Sequence, residues 1–149
     1  MIKIAICDDE MIIRKQLGSN ISHYLSMRKI KFKLYYYKYG NDLLEASNQI
    51  DFSFIFLDID LGNCNGVEIA KKIRKNQVKP INIVFVTNYT EYQTMAISIH
   101  TFDYLIKPIV NNKLYSVLDD LMFWYNKEGH KQRERVSFKT IVGIITIYM

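Results

Sequence analysis

The chain has 149 residues, 49% of them hydrophobic and 23% charged, with a formal net charge of +5. This length fits one domain with a short remainder, and the composition excludes a disordered or fibrous chain. Two cysteines are too few for a disulfide framework, and no apolar run approaches the roughly 18 residues of a membrane span.

Residues 2–7 (IKIAIC) form an apolar run of strand length in which Cys7 reads as a small buried residue. Ile13, Leu17, Ile21, Tyr24 and Leu25 then recur at helical spacing. Residues 32–37 (FKLYYY) are strand-like, and Gly40-Asn41-Asp42 marks a turn that caps a short helix through Leu43, Leu44 and Ala46. FIFLD (54–58) is apolar along almost its whole length, as in central strands covered on both faces. The loop DLGNCNG (60–66) holds Cys64 and leads into a helix with Val67, Ala70 and Ile73 on one face.

INIVFVT (81–87) is a further buried strand, followed by a helix bearing Tyr92, Met95, Ala96 and Ile99. FDYLI (102–106) is the fifth strand, and Leu114, Val117, Leu118, Leu121 and Tyr125 line a last helix. Five strands alternating with five helices predict a doubly wound parallel α/β sheet, since each parallel crossover requires a helix. A boundary is expected near 126–131, where polar residues surround Gly129, and VSFKT and GIITIY beyond it read as two short strands. Residues 126–149 carry five cations against two acids, a basic tail suited to a solvated connector or to contact with an acidic partner.

Four features fall at the carboxyl ends of four of these strands. Asp8 and Asp9 follow the first, Asp58 ends the third, Thr87 ends the fourth and Lys107 follows the fifth. Ligand sites of open α/β sheets lie outside those ends, so residues far apart in sequence are expected to meet there. Gathered carboxylates repel one another without a cation, and hard oxygen donors suit Mg²⁺. A carboxylate at a strand end can serve as a nucleophile, while a hydroxyl and an ammonium group can bind phosphoryl oxygens. Taken singly, each feature has a plainer reading: Asp-Asp as a turn or helix cap, Asp58 as a turn residue, Lys107-Pro108 as a loop. Their order and shared position give them weight.

CDDE (7–10), FLDIDLGNCNGVEIAKKIR (56–74), VFVTNYTEY (84–92) and FDYLIKP (102–108) together resemble the response-regulator receiver family over residues 1–125. The resemblance implies a CheY-like, flavodoxin-like sheet of strand order 2-1-3-4-5. It implies Asp58 as phosphoacceptor, and Asp8, Asp9, Asp58 and the backbone carbonyl of Asp60 as Mg²⁺ ligands. Thr87 and Lys107 would bind the phosphoryl group, Thr87 and Tyr104 would act as switch residues, and the Lys107–Pro108 bond would be cis. Gly62 stands where many members have proline, and Asn65 where many have aspartate. Asp60 and Tyr89 occupy positions that tune phosphoryl lifetime in relatives.

Within the family the chain looks most like receivers joined to LytTR-type DNA-binding domains. The implied organisation is a receiver at 1–125, a linker at 126–135 and a fragment at 136–149 resembling the start of a LytTR domain. The implied partners are a sensor histidine kinase and a second copy on activation, with DNA only where a complete output domain is present, and the location is cytoplasmic. Two other readings compete. Asp58-Ile59-Asp60 fits the spacing of haloacid-dehalogenase-type phosphatases, although Asp8 and Asp9 then lack a role. A pseudo-receiver would share the fold without phosphorylation. A cofactor-binding flavodoxin is disfavoured, because no Gly-rich phosphate loop follows the first strand.

Overall fold

A computed structural model describes the backbone of residues 1–142 and the side chains through Gly129. Five parallel strands, β1 (Ile2–Cys7), β2 (Phe32–Tyr37), β3 (Phe54–Leu57), β4 (Asn82–Thr87) and β5 (Asp103–Ile106), form one sheet in the order β2-β1-β3-β4-β5. This is the expected flavodoxin-like topology, with every strand within two residues of the predicted segment.

The alternation of side chains along each strand builds two cores. Ile2, Ile4, Ile6, Phe54, Phe56, Val84 and Val86 point to one face. There α1 (Met11–Met27) brings Leu17, Ile21 and Leu25, and α5 (Asn111–Val142) brings Leu114, Val117, Leu118 and Leu121. Ala5, Cys7, Ile55, Leu57, Ile83 and Phe85 point to the other face. Leu43 of α2 (Gly40–Ser47), Val67, Ala70 and Ile73 of α3 (Gly66–Asn76) and Ala96 of α4 (Gln93–Ser98) cover them. Each such aliphatic side chain contributes about 1.5–3 kcal/mol when fully buried. Central strands therefore read as unbroken apolar runs because both faces are covered.

Several details differ from the sequence expectation. α2 begins at Gly40, so Asn41 and Asp42 lie within its first turn and Tyr39 is the N-cap residue. α4 has only six residues, too few to bury a full stripe, and Met95 is left 40% exposed. α5 continues through Val142, so the backbone is helical across 126–135, read as a linker, and across VSFKT (136–140), read as a strand. The stretch is rich in Lys, Glu, Gln and Arg and contains no proline, so intrinsic preference favours the helix. GIITIY (143–148) lies outside the described residues. Among the described residues no helix is long and apolar enough to cross a membrane.

Arg74 ties α3 to the far end of α4. Its half-buried guanidinium donates to the carbonyls of Ile81, Ile99 (3.2 Å) and His100 (3.0 Å) and to Gln77 Oε1 (2.9 Å). Burial lowers its pKa from the usual arginine value.

Candidate active site at the carboxyl ends of the strands

The ladder hydrogen bonds run one residue past the strands and fix two acids at their ends. Asp8 N donates to Tyr37 O at 3.1 Å, and Asp58 N donates to Cys7 O at 2.9 Å. Both side chains are buried, Asp8 3% and Asp58 4% exposed. Two carboxylates cannot remain ionised at such depth without a cation. Lys107 supplies one, its Nζ lying 2.7 Å from Asp8 Oδ2 and 2.9 Å from Asp58 Oδ2. Its own backbone is placed by a 2.9 Å hydrogen bond from Lys107 N to Thr87 O, beside a cis Lys107–Pro108 bond.

Protonation follows from this arrangement. Burial raises the Asp8 carboxyl above the ordinary aspartate value, the Asp58 charge adds to this, and Lys107 together with the Glu10 amide offsets part of it. For Lys107, burial alone lowers the pKa, but hydrogen bonds to Asp8 and Asp58 outweigh it and the net direction is upward. Lys107 is therefore a firmly protonated cation shared by two acids.

The β3–α3 loop closes the pocket. Asp60 is exposed; its backbone N donates to Asp58 Oδ1 at 3.2 Å, and its carboxylate accepts from Gly62 N at 3.1 Å and Tyr89 OH at 3.3 Å. Gly62 has φ 75°, closed to proline, so the glycine found here sets a loop path that a proline could not follow. Asn65 caps α3 by accepting from Val67 N at 2.7 Å, which an aspartate side chain could do equally well. At Gly66 a Cβ would stand 2.0 Å from the Asp58 carbonyl oxygen, so only glycine lets α3 start this close to Asp58.

The remaining expected residues line the same rim. Thr87 is fully buried at the end of β4, and its Oγ1 accepts from Tyr89 N at 3.4 Å. Tyr104 packs edge-on against Phe85, with centroids 6.0 Å apart, and its hydroxyl donates to the Tyr89 carbonyl. Burial, with Glu91 and Asp58 nearby, pushes that phenol up to about 12. Asp9 is half-buried, and the carboxylate oxygens of Asp8, Asp9 and Glu10 lie within 4.8 Å of one another. Asp58 joins this group through Lys107 rather than by direct contact. An all-oxygen, anionic donor set with a single buried ammonium beside it fits Mg²⁺.

Two participants were not singled out from the sequence. Glu10 is the N-cap residue of α1 but makes no side-chain cap; its carboxylate stands with the two aspartates, 3.9 Å from Lys107 Nζ. Its place directly after Asp-Asp was the available signal. Arg14, one turn into α1, donates to the Asp8 carbonyl at 2.6 Å. Nothing in its spacing distinguished it from a solvated helix cation. Cys7 lies under the pocket with its thiol pushed up by burial, while Cys64 is half-buried in the loop.

The chain is similar to known proteins in sequence and fold. The family model for the response regulator receiver domain matches residues 4–119. The sensory transduction protein LytT of Bacillus cereus is 32% identical over 139 residues, covering 90% of this chain and 51% of that protein. The response regulatory domain of protein mrkE from Klebsiella pneumoniae superposes with a TM-score of 0.75 at 26% identity, covering 85% of this chain and 99% of that one. The response regulator TrrA from Thermotoga maritima, solved in complex with Mg(2+)-BeF, gives a TM-score of 0.70 at 24% identity, over 81% and 99% of the two chains. The chain spans about half the length of the curated relatives it matches.

Proposed function

The chain belongs to the response regulator receiver domain family, and from that premise we propose that it accepts a phosphoryl group on Asp58 from the phosphohistidine of a sensor histidine kinase. The single observation that carries this reading is the buried Lys107 ammonium held between Asp8 and Asp58. In that position it faces the oxygens of a phosphoryl group arriving at Asp58.

The chemistry needs positioning and charge neutralisation more than it needs acid or base. An Asp58 oxygen attacks phosphorus, the new O–P bond forms, and the P–N bond to the donor imidazole breaks. Lys107 neutralises equatorial oxygen charge, and Thr87, at the end of the neighbouring strand, turns its hydroxyl to the new phosphoryl oxygens. Asp8 and Asp9, with Asp58 and the Asp60 carbonyl, would hold Mg²⁺, and Glu10 stands beside them. When bound, that ion supplies the positive charge that lets several carboxylates and a phosphoryl group share one pocket. Asp60 is turned to Gly62 and Tyr89, and Asp8 is engaged with Lys107, an arrangement that favours a stoichiometric acceptor over a phosphatase of Asp-x-Asp type.

Movement of Thr87 and Tyr104 changes the surface made by α4, β5 and α5, where Met95 and Ile97 are exposed, and a second copy pairs there. The receiver unit is 1–125, and residues 136–149 resemble the start of a LytTR-type output domain, with DNA a partner only where that domain is complete. That domain would bind DNA and regulate transcription, from a cytoplasmic location. The test is incubation with acetyl phosphate and Mg²⁺ followed by intact-mass measurement. A single phosphoryl adduct is expected on the wild type and none on Asp58→Asn; equal labelling of both would refute the assignment.

A further inference from the structure

The positive charge of this protein is concentrated in one stretch of the chain. Between Glu10 and Asp42 the chain carries seven lysines and arginines and no acidic residue, whereas the whole chain sums to +5, so everything outside that segment sums to −2. The segment is α1 followed by β2, and β2 is an outer strand of the sheet, paired with β1 alone.

These cations are not used up internally. Lys15, Lys29, Lys31, Lys33 and Lys38 are exposed, and none of them lies within ion-pair distance of a carboxylate among the described residues. Lys33 lies beside Lys3 in the β1–β2 register, a like-charge pairing that weakens the sheet. Asp51, which precedes β3, pairs with Lys79. Lys31 and Lys33 alternate along the strand direction, which spaces their side chains by about 6.6 Å on one side. Tyrosines accompany the lysines: Lys33 lies 4.9 Å over the Tyr35 ring on the same side of the strand, and past the strand end Lys38 lies 5.3 Å over the ring of the exposed Tyr39.

We infer that the open β2 edge, centred on Lys29, Lys31 and Lys33 with Lys3 beside them, is a contact surface for the phosphate backbone of a nucleic-acid duplex. Exposed ammonium groups with no carboxylate partner among the described residues attract a polyanion, and their binding is driven by counterion release. Tyrosine hydroxyls add hydrogen bonds to phosphate and sugar without reading sequence. A membrane surface is the poorer fit, because the apolar stripe of α1 (Leu17, Ile21 and Leu25) is buried against the sheet, and its exposed Met11, Ile12 and Met27 stand at the two ends of the helix and form no continuous apolar face. β2 and β5 are opposite edges of the sheet, so this contact leaves the α4–β5–α5 side free for pairing. The inference does not depend on phosphorylation of Asp58.

The test is fluorescence anisotropy of the full chain with labelled duplexes of two unrelated sequences, over 50–200 mM salt. Three phosphate contacts give a slope of about −2.7 in log K against log salt, roughly a 40-fold loss of affinity across that range. Equal affinity for both sequences is expected. Lys31→Gln/Lys33→Gln should flatten the slope by about 2, while Lys72→Gln/Lys75→Gln on α3, with the same change in net charge, should leave it within about 0.5. Equal losses from the two pairs would reduce the effect to net charge and overturn the surface. So would absence of duplex binding at 50 mM salt, or binding to phosphatidylserine vesicles in its place.

Discussion

Replacing Lys107 by methionine tests the central arrangement directly, because it removes the charge and keeps the length of the side chain. Asp8 and Asp58, only 3% and 4% exposed, would then face each other with no shared cation. Breaking a buried ion pair by removing one partner costs about 3–5 kcal/mol, a large part of the 5–15 kcal/mol that holds a domain together. With a urea m-value of about 2 kcal/mol/M, the unfolding midpoint should fall by roughly 2 M. The second carboxylate supplies an internal check. Lys107→Met/Asp58→Asn leaves one buried acid instead of two, and should recover about half of the loss. Mg²⁺ should recover stability in Lys107→Met more than in the wild type. The assay is urea unfolding followed by far-ultraviolet circular dichroism, with and without Mg²⁺. A Lys107→Met midpoint within about 0.5 M of the wild type, unmoved by the second substitution, would show that the ammonium is not what permits these acids to be buried.

Other consequences follow from single contacts. Gly66→Ala places a methyl group against the Asp58 carbonyl and should lower the melting temperature by about 3–9 °C, from 1–3 kcal/mol of overpacking, while slowing labelling by acetyl phosphate. For Asp8, the folded-state pKa is raised, so the native state holds that proton more tightly than the unfolded chain. Its contribution is therefore greatest below the unfolded value of 3.8 and is lost as pH rises through the elevated folded value. Without Mg²⁺, Asp8→Asn should remove that loss and flatten the stability profile above pH 4, as read from thermal melts across pH. Arg74→Met leaves the Ile99 and His100 carbonyls without their donor, and should cost about 2–3 kcal/mol with faster hydrogen exchange across 93–102.

The sheet was legible because its strands are short apolar runs bounded by polar loops, and that pattern survives whatever the helices do. Asp8, Asp58, Thr87 and Lys107 were legible for a related reason: a parallel sheet aligns all its carboxyl ends on one rim, so topology alone brings them together. The end of α5 was not legible. Its polar continuation past Tyr125 has the composition of a linker and the propensities of a helix, and composition alone cannot choose between them. Nor does the spacing of Tyr92, Met95, Ala96 and Ile99 show that the helix they mark has only six residues.

What the order of residues determines by itself is therefore the alternation of strand and helix and the identity of the acids, hydroxyl and lysine at the strand ends. Only the folded chain decides how they are joined: that Lys107 is shared between Asp8 and Asp58, that Glu10 turns away from its helix to stand with the aspartates, and that Gly66 presses against the Asp58 backbone. The same holds for the basic segment: only the sheet sets Lys33 beside Lys3, on a strand paired with one neighbour alone. The reason is physical. Periodicity and propensity act over a few residues, whereas burial, charge pairing and steric exclusion act through space between segments brought together by the sheet.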